Sequence, residues 1–224
     1  MRRTSLIFVV GLAYLMLFSG AARAQDVTGF YDPFDAFDAN RWSVGDHNLG
    51  RSYLDPANVS VAGGALRIAH PARSYEGGEI LTNGLTGYGS YAARIKVANA
   101  PGSITGFFLY KSPDYASEID VEIYNDPSGR VMFTTYAGGR QTHTETVSLG
   151  FDPTAAYHDY AFDYAADAVT FYVDGRPMRT WDTGIPQVPM HLMVNSWYPT
   201  WLSGKKLRKT AYTTVDSIRY TAAP

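Results

Sequence analysis

The sequence predicts an all-β chain folded as a two-sheet sandwich, and three observations predict it. Nine short runs with strand character recur at 65–70, 88–97, 104–110, 117–124, 131–136, 158–164, 168–173, 191–196 and 213–220. Gly, Pro, Asn and Asp separate them, as they separate strands rather than helices. No stretch sustains an apolar period of 3.6 residues, and only Asp152-Pro153 offers a start signal for a short helical turn, with Asp as cap and Pro at the first position. Val173-Asp174-Gly175-Arg176 is a hairpin signal, because Asp-Gly readily takes the positive φ angles of a type I′ turn. Many evenly spaced strands in one domain bury their apolar faces most simply as two packed sheets.

The chain begins Met1-Arg2-Arg3, continues apolar from Leu6 to Phe18 and closes this segment with Ala22-Arg23-Ala24. A basic start, a short apolar core and an Ala-x-Ala ending describe a signal peptide over 1–24. The run is too short for a spanning helix, so no membrane association is expected once it is removed. Residues 25–224 then form a single domain, with no linker, repeat or low-complexity segment, and a secreted or periplasmic address follows. The leader holds three arginines and no acid, so its loss leaves the remainder more acidic than the net −2 of the whole. Such a charge suits neither phosphate backbones nor anionic lipid, so no nucleic-acid partner is expected.

The most informative run is Ser117-Glu118-Ile119-Asp120-Val121-Glu122-Ile123-Tyr124. Period-two alternation sends Ile119, Val121 and Ile123 into a core and leaves Glu118, Asp120 and Glu122 together on the opposite face. Acids are poor strand formers and like charges on neighbouring same-face positions repel, so three on one strand need a reason. Glycoside hydrolysis supplies one: retention takes a carboxylate nucleophile and a carboxylic acid–base about 5 Å apart. The Cα atoms of Glu118 and Glu122 lie roughly 13 Å apart at ~3.3 Å per residue, so the side chains must lean together, helped by a bend or twist of the sheet. Asp120 between them would help separate the two pKa values. The alternative is a wet outer face that happens to be acidic.

Other chemistries find no residues. Cysteine is absent, which excludes a disulfide framework, thiolate metal sites and cysteine nucleophiles. The five histidines, at 47, 70, 143, 158 and 191, show no metal spacing. No Gly-x-Ser-x-Gly elbow is present, and the glycines at 84, 87 and 89 lack a strand-to-helix context for a dinucleotide. Asn58-Val59-Ser60 fits a glycosylation acceptor, a pattern common by chance. The 17 tyrosines and four tryptophans suit an open sugar cleft, where rings stack on sugar faces and polar tips meet hydroxyls; the alternative is core and rim aromatics.

Glu118-Ile119-Asp120-Val121-Glu122 resembles the Glu-x-Asp-x-Glu signature of glycoside hydrolase family sixteen, in the lichenase (endo-β-1,3-1,4-glucanase) form without an extra residue before the last glutamate. Phe30-Tyr31-Asp32-Pro33-Phe34, Gly87-Tyr88-Gly89-Ser90-Tyr91, Ser148-Leu149-Gly150-Phe151-Asp152, Tyr160-Ala161-Phe162-Asp163, Tyr172-Val173-Asp174-Gly175 and Asn195-Ser196-Trp197 follow in the family's order. The resemblance implies a jelly-roll sandwich of two curved antiparallel sheets, of the concanavalin A-like lectin and glucanase type. It implies a secreted, retaining endo-β-glycosidase, with Glu118 as nucleophile, Asp120 as its hydrogen-bonding neighbour and Glu122 as acid–base.

It further implies that Glu79, Tyr110, Tyr136, Asn195 and Trp197 bind substrate. No organic cofactor is required, and a structural calcium at Pro33, Gly64 and Asp216 is the one ion implied. A monomer acting on polysaccharide is expected. Three departures stand out. Ala116-Ser117 replaces the Trp-Asp usual before the first glutamate, Thr134 stands where an Asn is frequent, and the disulfide common near the cleft has no counterpart. The substrate is therefore left open between a mixed-linkage β-glucan and a bacterial exopolysaccharide. Transglycosylation, and a lectin-like module without activity, are the rival functions.

Overall fold

The computed structural model describes residues 29–224; the leader expected over 1–24 lies outside them. In chain order the strands are β1 (Gly29–Asp32), β2 (Trp42–Val44), β3 (His47–Leu49), β4 (Ser52–Leu54), β5 (Val59–Val61) and β6 (Leu66–His70). Then come β7 (Gly78–Thr82), β8 (Gly89–Lys96), β9 (Ile104–Lys111), β10 (Ser117–Tyr124), β11 (Arg130–Ala137) and β12 (Arg140–Ser148). The last five are β13 (His158–Tyr164), β14 (Val169–Val173), β15 (Arg176–Trp181), β16 (His191–Trp197) and β17 (Ala211–Ala222). One sheet runs β15-β14-β13-β8-β17-β6-β5, with β1 also on β17; the other runs β12-β11-β10-β9-β16-β7-β2. Every pairing in both is antiparallel, giving the expected all-β sandwich.

The core lies between the sheets. Ile119, Val121 and Ile123 of β10 are fully buried there against Phe107, Phe133, Phe162, Phe171 and Tyr91. The Asp-Gly hairpin joins β14 to β15, with φ of 49° at Asp174 and 72° at Gly175. The short helix anticipated at Asp152-Pro153 does not form. Asp152 accepts from the N–H and the hydroxyl of Thr154, both at 2.8 Å, and these bonds close a turn instead. Among the described residues the single helical element is a 3-10 turn, Pro56–Asn58, capped by Asp55.

All nine expected strands exist, and the structure adds eight. β7 shows no alternation because it is covered on both faces, so that Gly78, Glu79, Ile80 and Thr82 are all buried. β12 and β15 are edge strands whose polar residues and Pro177 hide them, since an edge tolerates both. A second feature was not anticipated. His70, Thr105, Asn125, Ser196 and Thr213, all fully buried, form a polar knot between the sheets. His70 Nε2 meets Ser196 Oγ at 2.7 Å, and Thr105 Oγ1 donates to Asn125 Oδ1 at 2.7 Å and meets Thr213 Oγ1 at 3.0 Å. Burial pushes the His70 imidazole down to about 4 despite a backbone bond at Glu76, so it sits in the core as a neutral ring.

Candidate active site

Paired residues of an antiparallel ladder project to the same side, so the register writes out the open face of the β10 sheet in rows. One row reads Glu79, Asn195, Gly106, Glu122 and Met132 across β7, β16, β9, β10 and β11. The next reads Leu81, Met193, Phe108, Asp120 and Thr134. The third reads His191, Tyr110, Glu118 and Tyr136. Trp197, Ile104 and Tyr124 form the row beyond Glu122. Eight of the expected catalytic and binding residues therefore share one face. Tyr110 and Tyr136 flank Glu118 directly, whereas Asn195 and Glu79 stand two and three strands from Glu122.

Gly106 fits this floor for a steric reason. A Cβ there would lie 2.7 Å from Asn195 Oδ1, closer than real atoms approach, so a larger residue would displace the Asn195 amide. Asn195 donates from Nδ2 to Glu79 Oε2 at 3.2 Å, while its own Oδ1 is buried without a partner. Glu79 is on a strand and buried, not an exposed loop charge; burial pushes its carboxyl up to about 7, partly offset by the Asn195 bond. His47 Nε2 lies 3.9 Å from Glu79 Oε1, and burial holds that imidazole below its ordinary value against the pull of Asp46.

Three carboxyls on one face cannot all ionise, and the structure separates them. Asp120 is buried, and burial together with the charges of Glu118 and Glu122 holds its carboxyl well above the usual range. It therefore keeps its proton and donates it in a hydrogen bond to Glu118. Burial raises Glu118 to about 7, the Asp120 bond works to lower it, and the Asp114 carboxylate works to raise it. Burial and the Glu118 charge lift Glu122 further, to about 8. Near neutral pH the strand thus holds one carboxylate and one carboxylic acid with a proton-donating neighbour between them. The phenols of Tyr110 and Tyr136 are pushed up, first by burial and then by the surrounding carboxylates, so they stay neutral. Tyr110 donates its proton to Asp114 Oδ1 at 2.6 Å.

Several residues of this face were invisible in the sequence. Tyr115, half exposed at a φ of 66°, sets its ring 5.3 Å from that of Tyr136. Trp201, also half exposed, meets Tyr124 edge-on at 6.1 Å. An aromatic just before the motif was the one available signal for Tyr115. Trp201 had none, because the contact depends on a loop path. The register bears on the implied calcium residues only through the strand ends. β6 pairs with β17 as far as Leu66 opposite Val215, and β1 from Asp32 opposite Ile218, so Gly64 and Pro33 lie just beyond the ends of strands that flank Asp216. Two carbonyls and a carboxylate are hard oxygen donors that fit calcium, although Arg94 Nε already lies 3.8 Å from Asp216 Oδ2.

Comparison with known proteins agrees with this geometry. The β-glucanase of Bacillus subtilis (strain 168) is 33% identical over 99% of this chain and 98% of its own length. The solved β-glucanase of Bacillus licheniformis superposes with a TM-score of 0.82 at 31% identity, covering 89% of this chain and all of that one. A prokaryotic β-1,3-1,4-glucanase (lichenase) from a mouse hindgut metagenome superposes with a TM-score of 0.80 at 26% identity, covering 88% of this chain and all of that one. The model of the glycosyl hydrolases family 16 matches residues 51–216, a span that holds the whole acidic strand and its neighbours on the sheet. With three-quarters of its length matched and the carboxylates arrayed on the open face of a jelly roll, this chain belongs to glycosyl hydrolase family 16.

Proposed function

We propose that the protein is a retaining endo-β-glucanase, exported and acting as a monomer on internal bonds of a β-glucan or a related bacterial exopolysaccharide. The single observation that carries the reading is the alternation of β10, which sets Glu118, Asp120 and Glu122 in successive rows of one sheet face; burial and their mutual charge raise all three carboxyls. Glu118, as carboxylate, attacks the anomeric carbon. Glu122 gives its proton to the departing glycosidic oxygen, so the C–O bond breaks as the glycosyl ester forms. Glu122, now ionised, takes a proton from water, and that water displaces Glu118 with a second inversion. Asp120 strengthens Glu118 as a leaving group by bonding to the oxygen on which charge returns.

The neutral phenols of Tyr110 and Tyr136 border the nucleophile, and Glu79 with Asn195 reaches sugar hydroxyls further along the row. Export rests on the leader pattern and on the bacterial β-glucanases this chain resembles. Among the described residues no helix is long and apolar enough to cross a membrane. A structural calcium held by Pro33, Gly64 and Asp216 belongs to the same reading; it would tie the β1–β17–β6 junction on the sheet opposite the carboxylates.

Azide tests the two roles. Glu122→Ala is expected to be slow on polysaccharide but to accumulate a glycosyl ester from an aryl glycoside, whose leaving group needs little protonation. Added azide, which needs no general base, should then speed turnover and give the β-glycosyl azide by double inversion. Glu118→Ala with azide should give the α-azide by a single displacement. The opposite stereochemistry in either variant would reverse the assignments, and inversion by the unmodified protein would remove the retaining mechanism.

A further inference from the structure

The chain is acidic overall, yet one connection concentrates cations. Lys205, Lys206, Arg208 and Lys209 fall within five residues of the loop joining β16 to β17, and no acid occurs anywhere in 199–210. All four are exposed. Arg73 is exposed beside them, because its backbone N–H donates to the carbonyl of Leu207 at 2.8 Å. None of these five takes part in an ion pair among the described residues. Unneutralised like charges held together repel, and the field they create favours an anion brought from outside.

The patch sits on a fixed platform. Arg51 donates to the carbonyls of Pro199 at 3.0 Å, Leu202 at 2.8 Å and Gly204 at 3.5 Å, and also to Gly102 at 3.0 Å. Tyr75 donates to Gly204 O at 3.1 Å, and Lys206 Nζ lies 5.2 Å from the Tyr75 ring. The platform also borders the carboxylate face. The loop leaves β16 at Trp197, and its Trp201 leans on Tyr124, two residues beyond Glu122 on β10.

We infer that the 205–209 loop, with Arg73, is a binding site for carboxylate-bearing substituents of the polysaccharide, so that the substrate is an anionic β-glycan. The inference rests on the reading that the acidic strand cleaves a glycan lying across the β10 sheet. A neutral glucan gives these cations nothing to neutralise. A chain carrying uronate, acidic ketal or half-ester groups brings carboxylates to the loop while its neutral backbone lies across the β10 face. The two requirements then separate cleanly: Glu118 and Glu122 lie where the neutral backbone passes, and the cations lie where a branch projects.

The test compares a neutral mixed-linkage β-glucan with the same polymer partially carboxymethylated. Wild type is run against the quadruple variant Lys205→Glu, Lys206→Glu, Arg208→Glu and Lys209→Glu, and against the corresponding quadruple glutamine variant. Initial rates and retardation in polymer-containing native gels are both measured. Wild type is expected to show a KM about tenfold lower, and stronger retardation, on the carboxymethylated polymer. That preference should halve or better in the glutamine variant, vanish in the glutamate variant, and vanish for wild type in 1 M salt, where screening acts within roughly 3 Å. Rates on the neutral polymer should not move.

Equal KM and equal retardation of wild type by the two polymers would overturn the inference. So would an equal loss on both polymers in the folded glutamine variant, or binding to phosphatidylglycerol vesicles without any preference between the polymers. If neither polymer is hydrolysed but the charge-dependent retardation persists, the anion site stands and the hydrolytic reading falls.

Discussion

Replacing Asp120 with alanine removes the proton donor beside the nucleophile, and the consequence is calculable. The bond from Asp120 is the interaction that holds Glu118 down against its burial. A hydrogen bond to a charged group contributes ~1.5–3 kcal/mol, or roughly 1–2 pK units at 1.36 kcal/mol each. Without it the Glu118 carboxyl moves from about 7 to about 8 or higher, reaching the value of Glu122. The reactive form needs Glu118 ionised and Glu122 protonated. At best about 60% of wild type is in that form, against roughly 25% of a variant with both groups at about 8, a loss of about twofold before any change in orientation.

The assay is the pH dependence of kcat/KM on a soluble β-glucan. Wild type should give a bell with limbs near 7 and 8, set by Glu118 and Glu122 respectively. In Asp120→Ala the acidic limb should move up by about one unit or more, with KM little changed. Asp120→Asn, whose amide still donates, should fall between. An acidic limb that stays in place or moves down in Asp120→Ala would refute the reasoning, whatever happens to kcat.

Two further outcomes are expected. The His70 imidazole is depressed to about 4 in the fold against 6.5 when unfolded, so below 6.5 the unfolded chain binds the extra proton. Its contribution is fully present above pH 6.5 and is lost as pH falls toward 4, amounting to about 3 kcal/mol. The raised carboxyls of the active face act in the opposite sense on acidification, so the diagnostic quantity is the difference between wild type and His70→Asn in urea unfolding at pH 7 and 4.5. Parallel slopes would remove His70 as an acid-sensitive group. For calcium, one carboxylate with carbonyls implies a Kd of about 1 mM, so 10 mM calcium should add about 1.4 kcal/mol and raise Tm by ~3–5 °C. Asp216→Ala should abolish the shift, and a melting curve unmoved by calcium in wild type would dismiss the site.

Much of this was legible in the sequence because strand periodicity is local. Glu118, Asp120 and Glu122 alternate with Ile119 and Val121, and the fold turns that alternation directly into an open face and a core face. Glu79 and Asn195 could be named only by resemblance, since their hydrogen bond spans 116 positions of sequence and depends on register. β7 was missed because it is buried on both sides, and β12 because its polar residues lie on an edge. The knot around His70 was hidden for a further reason. Its members come from five separate segments, and a lone buried histidine has no pattern until its partners are assembled.

The Arg51 clasp has a consequence for what can undo the loop it holds. Proteins that secure an exported loop with a disulfide depend on an oxidant, and their stability follows the redox poise of the compartment. Here one guanidinium bonded to four carbonyls, with its Cζ 4.7 Å from the centre of the Tyr75 ring, secures the loop leading out of β16. No electron transfer makes or breaks that attachment. A guanidinium also keeps its proton at any pH a protein survives, so the attachment does not titrate. That attachment therefore requires no thiol oxidation, and reductants that dismantle disulfide-fastened proteins should leave this one intact.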